Sequence, residues 1–178
     1  QTSYQYDAGG KLTKTTRSDG HTLTQGYDGY GRISTQTDSA YGSLSLNLDA
    51  NSRVLSENWF YPSLVGTGLA TAIDYAWDGN GNRTQVSTTG QTIKASYDAL
   101  NQLETLTHPD GSVTRFAYDD AGNRSGITRA DGSTTSYQYN EASQLTAVTH
   151  RKADGSEIAR FAYTLNAAGQ RTQVHERL

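Results

Sequence analysis

The residues of this sequence that could do chemistry are acids, amides and four histidines, since the chain contains no cysteine. The run Asp78-Gly-Asn-Gly-Asn82 places oxygen atoms at alternating positions, as a calcium loop does. Arg83 and Thr89 stand where such a loop needs a glycine and a bidentate glutamate, so a turn is the favoured interpretation. Asp119 and Asp120 are neighbours in sequence and do not face each other as a catalytic acid and base would. The sequence predicts no catalytic residue, no metal ligand and no cofactor.

Two of the histidines share a position in a sequence repeat. His108 and His150 each lie ten residues after Asp98 or Asn140. If two hairpins separate them, four strand spacings of roughly 4.8 Å place the imidazoles about 19 Å apart. That distance is too long for a shared metal ion, and we expect histidines in solvent or at a sheet edge.

Composition and charge exclude several classes of protein. Fifteen basic and 18 acidic residues give a net charge of -3 with no basic cluster, which argues against a nucleic-acid partner. The longest uncharged stretch, 58–73, is interrupted by Pro62, Gly66 and Gly68, so no membrane span is predicted. The first ten residues have no basic start and no apolar run, so no signal peptide is expected, and the missing initiator methionine indicates a fragment.

The elements that must position these residues are β-strands, and they repeat. Twelve tyrosines against two prolines favour an all-β chain. An acid or amide preceded by an aromatic residue or leucine recurs eight times, about 21 residues apart, at Asp7, Asp28, Asp49, Asp78, Asp98, Asp119, Asn140 and Asn166. Three positions after each of them stands a small or turn-forming residue: Gly10, Gly31, Ser52, Gly81, Asn101, Gly122, Ser143 and Gly169.

Each repeat therefore contains two turns and two short strands, which makes one hairpin. The first turn, at the acid, suits a type I turn with a bulge, because the carboxylate can accept from nearby N–H groups. The second turn contains an Asp-Gly pair in four repeats, at Gly20, Gly111, Gly132 and Gly155. Asp-Gly predicts a two-residue primed turn, in which glycine supplies the positive φ. All these residues are predicted to be structural.

Alternation of large side chains places the aromatic residues on one face of the predicted sheet. Phe116 and Tyr118, or Tyr137 and Tyr139, flank a smaller or polar residue. In the strand that leaves the acid turn, apolar residues lie both five and eight positions after the acid, which is a change of parity. A β-bulge in that strand would place both sets on the same face.

Units such as Phe116-Ala-Tyr-Asp-Asp-Ala-Gly-Asn-Arg124, followed by Ala130-Asp-Gly-Ser-Thr134, resemble the YD repeats of Rhs proteins, Tc toxin C components and teneurins. The resemblance covers essentially the whole chain. It implies a curved antiparallel strip of hairpins, part of a spiral sheet that closes as a hollow shell around a C-terminal toxin or other cargo. It also implies a secreted or cell-surface protein, of bacterial origin. The aspartyl self-cleavage signature of such shells, rich in Asp-Pro, is absent from these 178 residues.

We expect one array of about eight repeats over residues 1–178, with an apolar insertion near 58–72. The insertion contains six large apolar residues: Trp59, Phe60, Tyr61, Leu64, Val65 and Leu69. Insertions in repeat proteins map to loops that are often functional, which makes Trp59, Phe60 and Tyr61 candidate partner contacts. The alternative is a segment that folds back over one sheet face.

Two functions are compatible with the sequence. The first is a non-enzymatic structural segment of a shell, whose partners are the toxin or cargo polypeptide and the neighbouring repeats. The second is a module that binds carbohydrate or a cell-surface partner, because stacked aromatic and amide side chains can recognise a glycan. We also expect the isolated chain to self-associate, as a dimer, through its uncharged first strand at Gln1 to Tyr6.

Overall fold

The computed structural model describes residues 1–62 and 69–178, and for Leu69 the backbone alone. These residues form 16 antiparallel strands that follow one another in the sheet in sequence order, with no helix in the described ranges. The all-β prediction is confirmed. The strands are β1 (Ser3–Tyr6), β2 (Leu12–Thr16), β3 (Thr22–Tyr27), β4 (Ile33–Asp38), β5 (Gly42–Leu48), β6 (Val54–Tyr61), β7 (Leu69–Trp77), β8 (Arg83–Thr88), β9 (Gln91–Tyr97), β10 (Leu103–Thr107), β11 (Val113–Tyr118), β12 (Arg124–Thr128), β13 (Thr134–Tyr139), β14 (Leu145–Arg151), β15 (Glu157–Leu165) and β16 (Arg171–Arg177).

The chain divides into two compact units, Gln1–Thr92 and Ile93–Leu178. The first contains β1 to β8, and the second contains β10 to β16 together with most of β9. The same local pattern builds both units. A Tyr-Asp turn, which is our name for each of the eight turns that begin at the repeated acid or amide, alternates with a second turn at the opposite end of the strands.

Each Tyr-Asp turn is a type I turn followed by a bulge residue with positive φ. In the first one, the N–H of Gly10 donates to the carbonyl of Asp7, and the N–H of Asp7 donates to the carbonyl of Lys11. The left-handed residue stands three positions after the acid or amide in all eight repeats, and it is not a glycine in three of them: Ser52 (φ 65), Asn101 (φ 61) and Ser143 (φ 57). The predicted turn with a bulge is therefore correct.

The Asp-Gly turns differ from the prediction. In the first of them, the N–H of Gly20 donates to the carbonyl of Arg17, and the N–H of Arg17 donates to the carbonyl of His21. Only the fourth turn residue, Gly20, has a positive φ (86), whereas a primed turn needs one at a central position. The same bonds recur at Gly111, Gly132 and Gly155. These are therefore type I turns followed by a glycine bulge. In the first of them, Asp19 Oδ1 also accepts from the N–H of His21, which stabilises the turn.

A second irregularity, a β-bulge in the strand, follows every Tyr-Asp turn. It determines which face of the sheet carries the apolar residues on either side of it. Tyr139 pairs with Leu145 and Gln138 with Ala147, so Thr146 is an extra residue in the strand that leaves the turn. Its hydroxyl donates to the carbonyl of Gln138 at 3.1 Å. The predicted bulge is confirmed, and it returns apolar residues on both sides of it to the same face.

The sheet has one layer, and its core is correspondingly small. In the described ranges only four residues are buried, namely Thr135, Ala147, Thr149 and Ala159, and all of them lie in the second unit. One face carries a cross-strand row that runs from Phe116 through Ile127 to Thr135, His150 and Ala159. The large apolar side chains of this face are half-buried rather than enclosed.

Relief of backbone strain gives a first prediction. Ser143→Gly should raise the free energy of unfolding by about 0.5–1 kcal/mol, because a left-handed residue without a Cβ is not strained. The loss of one exposed hydrogen bond from Asn123 to the Ser143 hydroxyl offsets only part of this gain. The same change at Ser136, an extended residue of β13, should instead lower stability. Urea unfolding of the two variants measures both effects, and equal changes would contradict the assignment.

Candidate functional site: the row of Tyr-Asp turns

Each Tyr-Asp turn is organised by one oxygen of its acid or amide. Asp28 Oδ1 accepts from the N–H of Tyr30 at 2.9 Å and from the N–H of Arg32 at 3.0 Å. Oδ1 of Asn140 makes the equivalent bonds to Ala142 and Gln144, at 3.1 and 3.0 Å. An amide oxygen thus replaces a carboxylate oxygen in this role, which explains why a repeat with asparagine keeps the turn.

The second side-chain atom of the acid or amide binds the side chain four positions on. Oδ2 accepts from a donor at Asp28, Asp49, Asp78 and Asp119, and the donors are Arg32 (2.7 Å), Arg53 (2.7 Å), Asn82 (2.9 Å) and Asn123 (3.1 Å). In the repeats with asparagine, Nδ2 donates instead to Oε1 of Gln144 or Gln170. The two positions are therefore chemically matched within each of these repeats.

Several of these same side chains also reach the next repeat. The Arg32 guanidinium donates to the carbonyl of Asp49 at 2.6 Å and to the Ser52 hydroxyl at 3.0 Å. Arg53 donates in the same way to the carbonyl of Asp78 at 3.0 Å. These bonds connect the turns at Asp28, Asp49 and Asp78 into a row along one end of the strands. In the second unit, Asn123 makes a corresponding bond to the Ser143 hydroxyl.

The aromatic residue before the acid binds the preceding repeat. The Tyr27 hydroxyl donates to the carbonyl of Leu12 at 2.7 Å, 15 residues earlier. The same bond is made by three more aromatic residues: Trp77 to Val54 (2.9 Å), Tyr118 to Leu103 (3.0 Å) and Tyr139 to Arg124 (3.0 Å). The aromatic residue before the acid thus binds the preceding repeat, and the side chain four positions after the acid can bind the next one. In the sequence, the only sign of the first of these hydrogen bonds is the recurrence of tyrosine, and the alternation pattern by itself predicts only that these rings pack on one face of the sheet.

Hydrogen bonding lowers the pKa of four Tyr-Asp turn carboxylates, those of Asp28, Asp49, Asp78 and Asp119. A side-chain hydrogen bond from Arg32 is the main cause at Asp28, and Asn82 and Asn123 act in the same way on the pKa of Asp78 and Asp119. At Asp49 the main cause is the backbone N–H of Arg53. A carboxylate that accepts several N–H groups stays ionised to lower pH, because protonation would remove acceptors.

The apolar insertion extends a hairpin. Residues 58–61 continue β6 and residues 69–72 begin β7, with Trp59 paired to Thr71 and Tyr61 paired to Leu69. The rings of Trp59 and Tyr61 are stacked, with centroids 6.0 Å apart and planes within 2°. Phe60 lies on the opposite face and is 46% exposed. The structure thus brings together two of the three predicted contact residues; Leu64 and Val65 lie outside the described residues.

A carboxylate missed in the sequence lies beside this pair. Glu57 accepts from Nε1 of Trp59 at 2.9 Å and from the hydroxyl of Tyr75. The hydrogen bond to Glu57 is the main cause that raises the pKa of Tyr75. Glutamate does not recur at this position in the other repeats. The role of Glu57 is therefore visible only from its place in the sheet, between Leu46 and Ile73.

The candidate calcium run is an ordinary Tyr-Asp turn. Oδ1 of Asp78 accepts from the N–H groups of Asn80 and Asn82, and Oδ2 accepts from the Asn82 side chain. In residues 1–62 and 69–178, no group of three histidine or acidic side chains could hold a metal ion. His150 is half-buried, contacts the Thr135 hydroxyl at 3.0 Å and packs edge-on against Phe161, so it is not the solvated histidine expected from the sequence. The described ranges also hold no helix long and apolar enough to cross a membrane.

The tyrosine bond to the preceding repeat gives a second prediction. Tyr139→Phe should lower the free energy of unfolding by about 1 kcal/mol, because the Arg124 carbonyl loses its donor. Tyr137→Phe is the matched control, since the Tyr137 hydroxyl makes no hydrogen bond in the described part of the chain. Thermal unfolding should rank the two variants in this order, and a larger loss for Tyr137→Phe would contradict the role of the bond.

The lowered carboxylate pKa values predict how the stability of the protein falls at acid pH. A depressed folded pKa stabilises the protein above the ordinary value of 3.8, and this stabilisation is lost as pH falls below it. Asp78→Asn/Asp119→Asn should keep both turns, as Asn140 does, and lose less stability between pH 5 and the acid transition. Urea titrations at several pH values measure the slope. Identical slopes in the parent and the double variant would overturn the assignment.

Comparison with known proteins gives a family match and similar solved structures. The RHS Repeat family matches residues 6–43, 97–134 and 125–157. The crystal structure of TcdB2-TccC3-TEV is similar over 98% of this chain and 11% of its own, with 15% identity and a TM-score of 0.70. A Photorhabdus luminescens Tc holotoxin pore, with a mutation in TccC3, is similar over the same shares at 15% identity and a TM-score of 0.66.

The chain spans only about a tenth of the length of those solved chains, 11% in each case, and at this identity they share its fold. No curated protein sequence matches it. The family matches cover more than half of the residues and begin at Tyr6, Tyr97 and Ser125, each in or next to a Tyr-Asp turn. With its hairpins, its turn row and these matches, the chain belongs to the RHS repeat family.

Proposed function

We propose that the chain is a section of the wall of a larger RHS-repeat shell that encloses a toxin or other cargo polypeptide, and that it has no catalytic role. The observation that carries this proposal is the way repeats are joined. Tyr27 binds backward to Leu12 while Arg32 binds forward to Asp49, so each hairpin needs a neighbour on both sides. Such a unit builds an extended wall rather than a closed domain.

The terminal strands support the same proposal. All four residues of β1 and all seven residues of β16 are exposed. In the described part of the chain, β1 pairs with β2 alone and β16 with β15 alone. Unpaired strand edges bind further strands readily, so neighbouring repeats of a longer chain are the partners proposed for both edges. In the isolated chain, a second copy would take their place and give a dimer.

The single layer supports enclosure. The apolar residues Phe116, Tyr137 and Val148 share one face and are only half-buried, whereas Gln138 on the opposite face is exposed. An apolar lining can contact a polypeptide that has not folded, because both offer apolar surface to water. A secreted protein of bacterial origin is the context proposed for such a shell.

The test uses the absence of cysteine in this chain. Tyr137→Cys and Gln138→Cys place single thiols on opposite faces of β13. In the full-length protein that carries these repeats, a large maleimide should label residue 138 quickly and residue 137 slowly, because residue 137 lines the lumen. In the isolated 178-residue chain both should react. Rapid labelling of residue 137 in the full-length protein would refute enclosure on this face.

Carbohydrate recognition is a second proposal, favoured by the stacked rings of Trp59 and Tyr61. Rings in this arrangement can pack against the apolar face of a sugar. Calorimetric titration with neutral oligosaccharides tests it, with Trp59→Leu as the variant that should abolish the heat of binding.

A further inference from the structure

A shallow concavity of about 150 Å³ lies on the face of the first unit that carries Trp59. Its lining comes from β3 to β6 and the turn before β5, and it includes Gln36, Asp38, Tyr41, Leu44, Trp59 and Tyr61. Gln36, Leu44 and Trp59 are direct cross-strand neighbours and form one row of it. Its volume is enough for one small chemical group.

Aromatic side chains form much of this lining. Trp59 and Tyr61 present stacked rings, and Tyr41 is 68% exposed. The face of an aromatic ring is electron-rich and attracts a cation placed over it. Three rings around one small concavity are therefore suited to a positively charged group.

Charge points in the same direction. Asp38 is the one charged residue of the lining, which includes no lysine or arginine. Asp38 Oδ1 accepts from the N–H groups of Ala40 and Tyr41, at 2.8 and 3.2 Å, which fixes the carboxylate at this position. Oδ2 makes no hydrogen bond within residues 1–62 and 69–178, so it can accept from a ligand. Residues 63–68 contain no basic side chain that could neutralise it.

Elsewhere the chain covers some of its aromatic rings with its own cations. A lysine or arginine lies over six rings, at 3.9 to 5.7 Å from the centroid: those of Tyr27, Tyr30, Tyr75, Trp77, Phe116 and Tyr163. In the described ranges no such cation lies over Tyr41, Trp59 or Tyr61. We propose that this concavity binds an organic cation, an ammonium or guanidinium group from outside the chain, between the rings and the Asp38 carboxylate.

Such a group could belong to a polypeptide side chain or to a small molecule. Nuclear magnetic resonance of the ¹⁵N-labelled chain distinguishes them, because the two tryptophans give two indole N–H signals. Nα-acetyl-arginine amide and tetramethylammonium chloride are the probes, and tighter binding of the former identifies a polypeptide side chain as the source. Both should shift the Trp59 signal and leave that of Trp77, which donates to the Val54 carbonyl, in place.

Neopentyl alcohol has the size and shape of tetramethylammonium without its charge, and should bind about threefold or more weaker. Asp38→Asn keeps an acceptor for the turn. It should weaken the binding of both cations about threefold and leave the binding of the alcohol unchanged. Asp110→Asn, in a turn of the second unit, is the matched control and should change nothing.

Tyr41→Leu should weaken cation binding, whereas Tyr30→Leu should not, because Tyr30 already carries Arg32 and lies outside the concavity. This pair keeps the test decisive if Asp38→Asn fails to fold. Equal binding of the alcohol and the cations would overturn the proposal. So would a Trp59 signal that moves with maltose but with neither cation, since that result assigns the concavity to a neutral sugar.

Discussion

A sheet one layer thick has to hold together without a core, and the rest of this structure follows from that constraint. Domains usually bury the apolar face of one layer against another. Here four small residues are buried in the described ranges, and the aromatic side chains are half-buried at best. Burial of apolar area therefore contributes less per residue than in a two-layered domain. Hydrogen bonds between adjacent strands and between adjacent repeats supply the cohesion and fix the spacing of the hairpins.

The repeat motif distributes this cohesion between two neighbours. The tyrosine binds a carbonyl of the repeat before it, and the side chain four positions after the acid can bind the repeat after it. Oδ1 of the acid accepts from the N–H groups of the turn, and Oδ2 is left to bind the side chain four positions on. In four repeats aspartate accepts from arginine or asparagine, and in two repeats asparagine donates to glutamine. Repeats seven and eight thus diverge in sequence while their turns stay the same.

The extended hairpin of β6 and β7 departs from this regularity and differs in chemistry. Most of the aromatic rings in the repeat positions are covered by a cation or tied to a carbonyl. Trp59 and Tyr61 lie beyond the length of an ordinary repeat strand, where no repeat position supplies an arginine. An apolar insertion in a polar array thereby places a pair of half-buried rings in the same concavity as a fixed carboxylate. The turn row and the concavity therefore use different residues of the first unit.

The sequence by itself determined the features that depend on a few consecutive residues. The period, the eight Tyr-Asp turns, the left-handed residue at each and the shared face of Phe116 and Tyr118 follow from turn chemistry and from the alternation of strand side chains. Even Ser52 and Ser143 adopt the left-handed conformation that their position in the repeat demands. The Asp-Gly turns were misassigned, because the pair alone does not specify whether glycine is the third or the fourth turn residue.

The contacts between repeats depend on how the strands are paired in the folded chain. Tyr27 reaches Leu12, and Arg32 reaches the Asp49 carbonyl, across distances in sequence that depend on strand register and on the bulge after each turn. The tertiary structure also placed Asp38 of β4 in one concavity with Trp59 and Tyr61 of β6. These contacts join different strands, and a pattern within one strand cannot encode them because a shift of one residue in register would reverse every side chain.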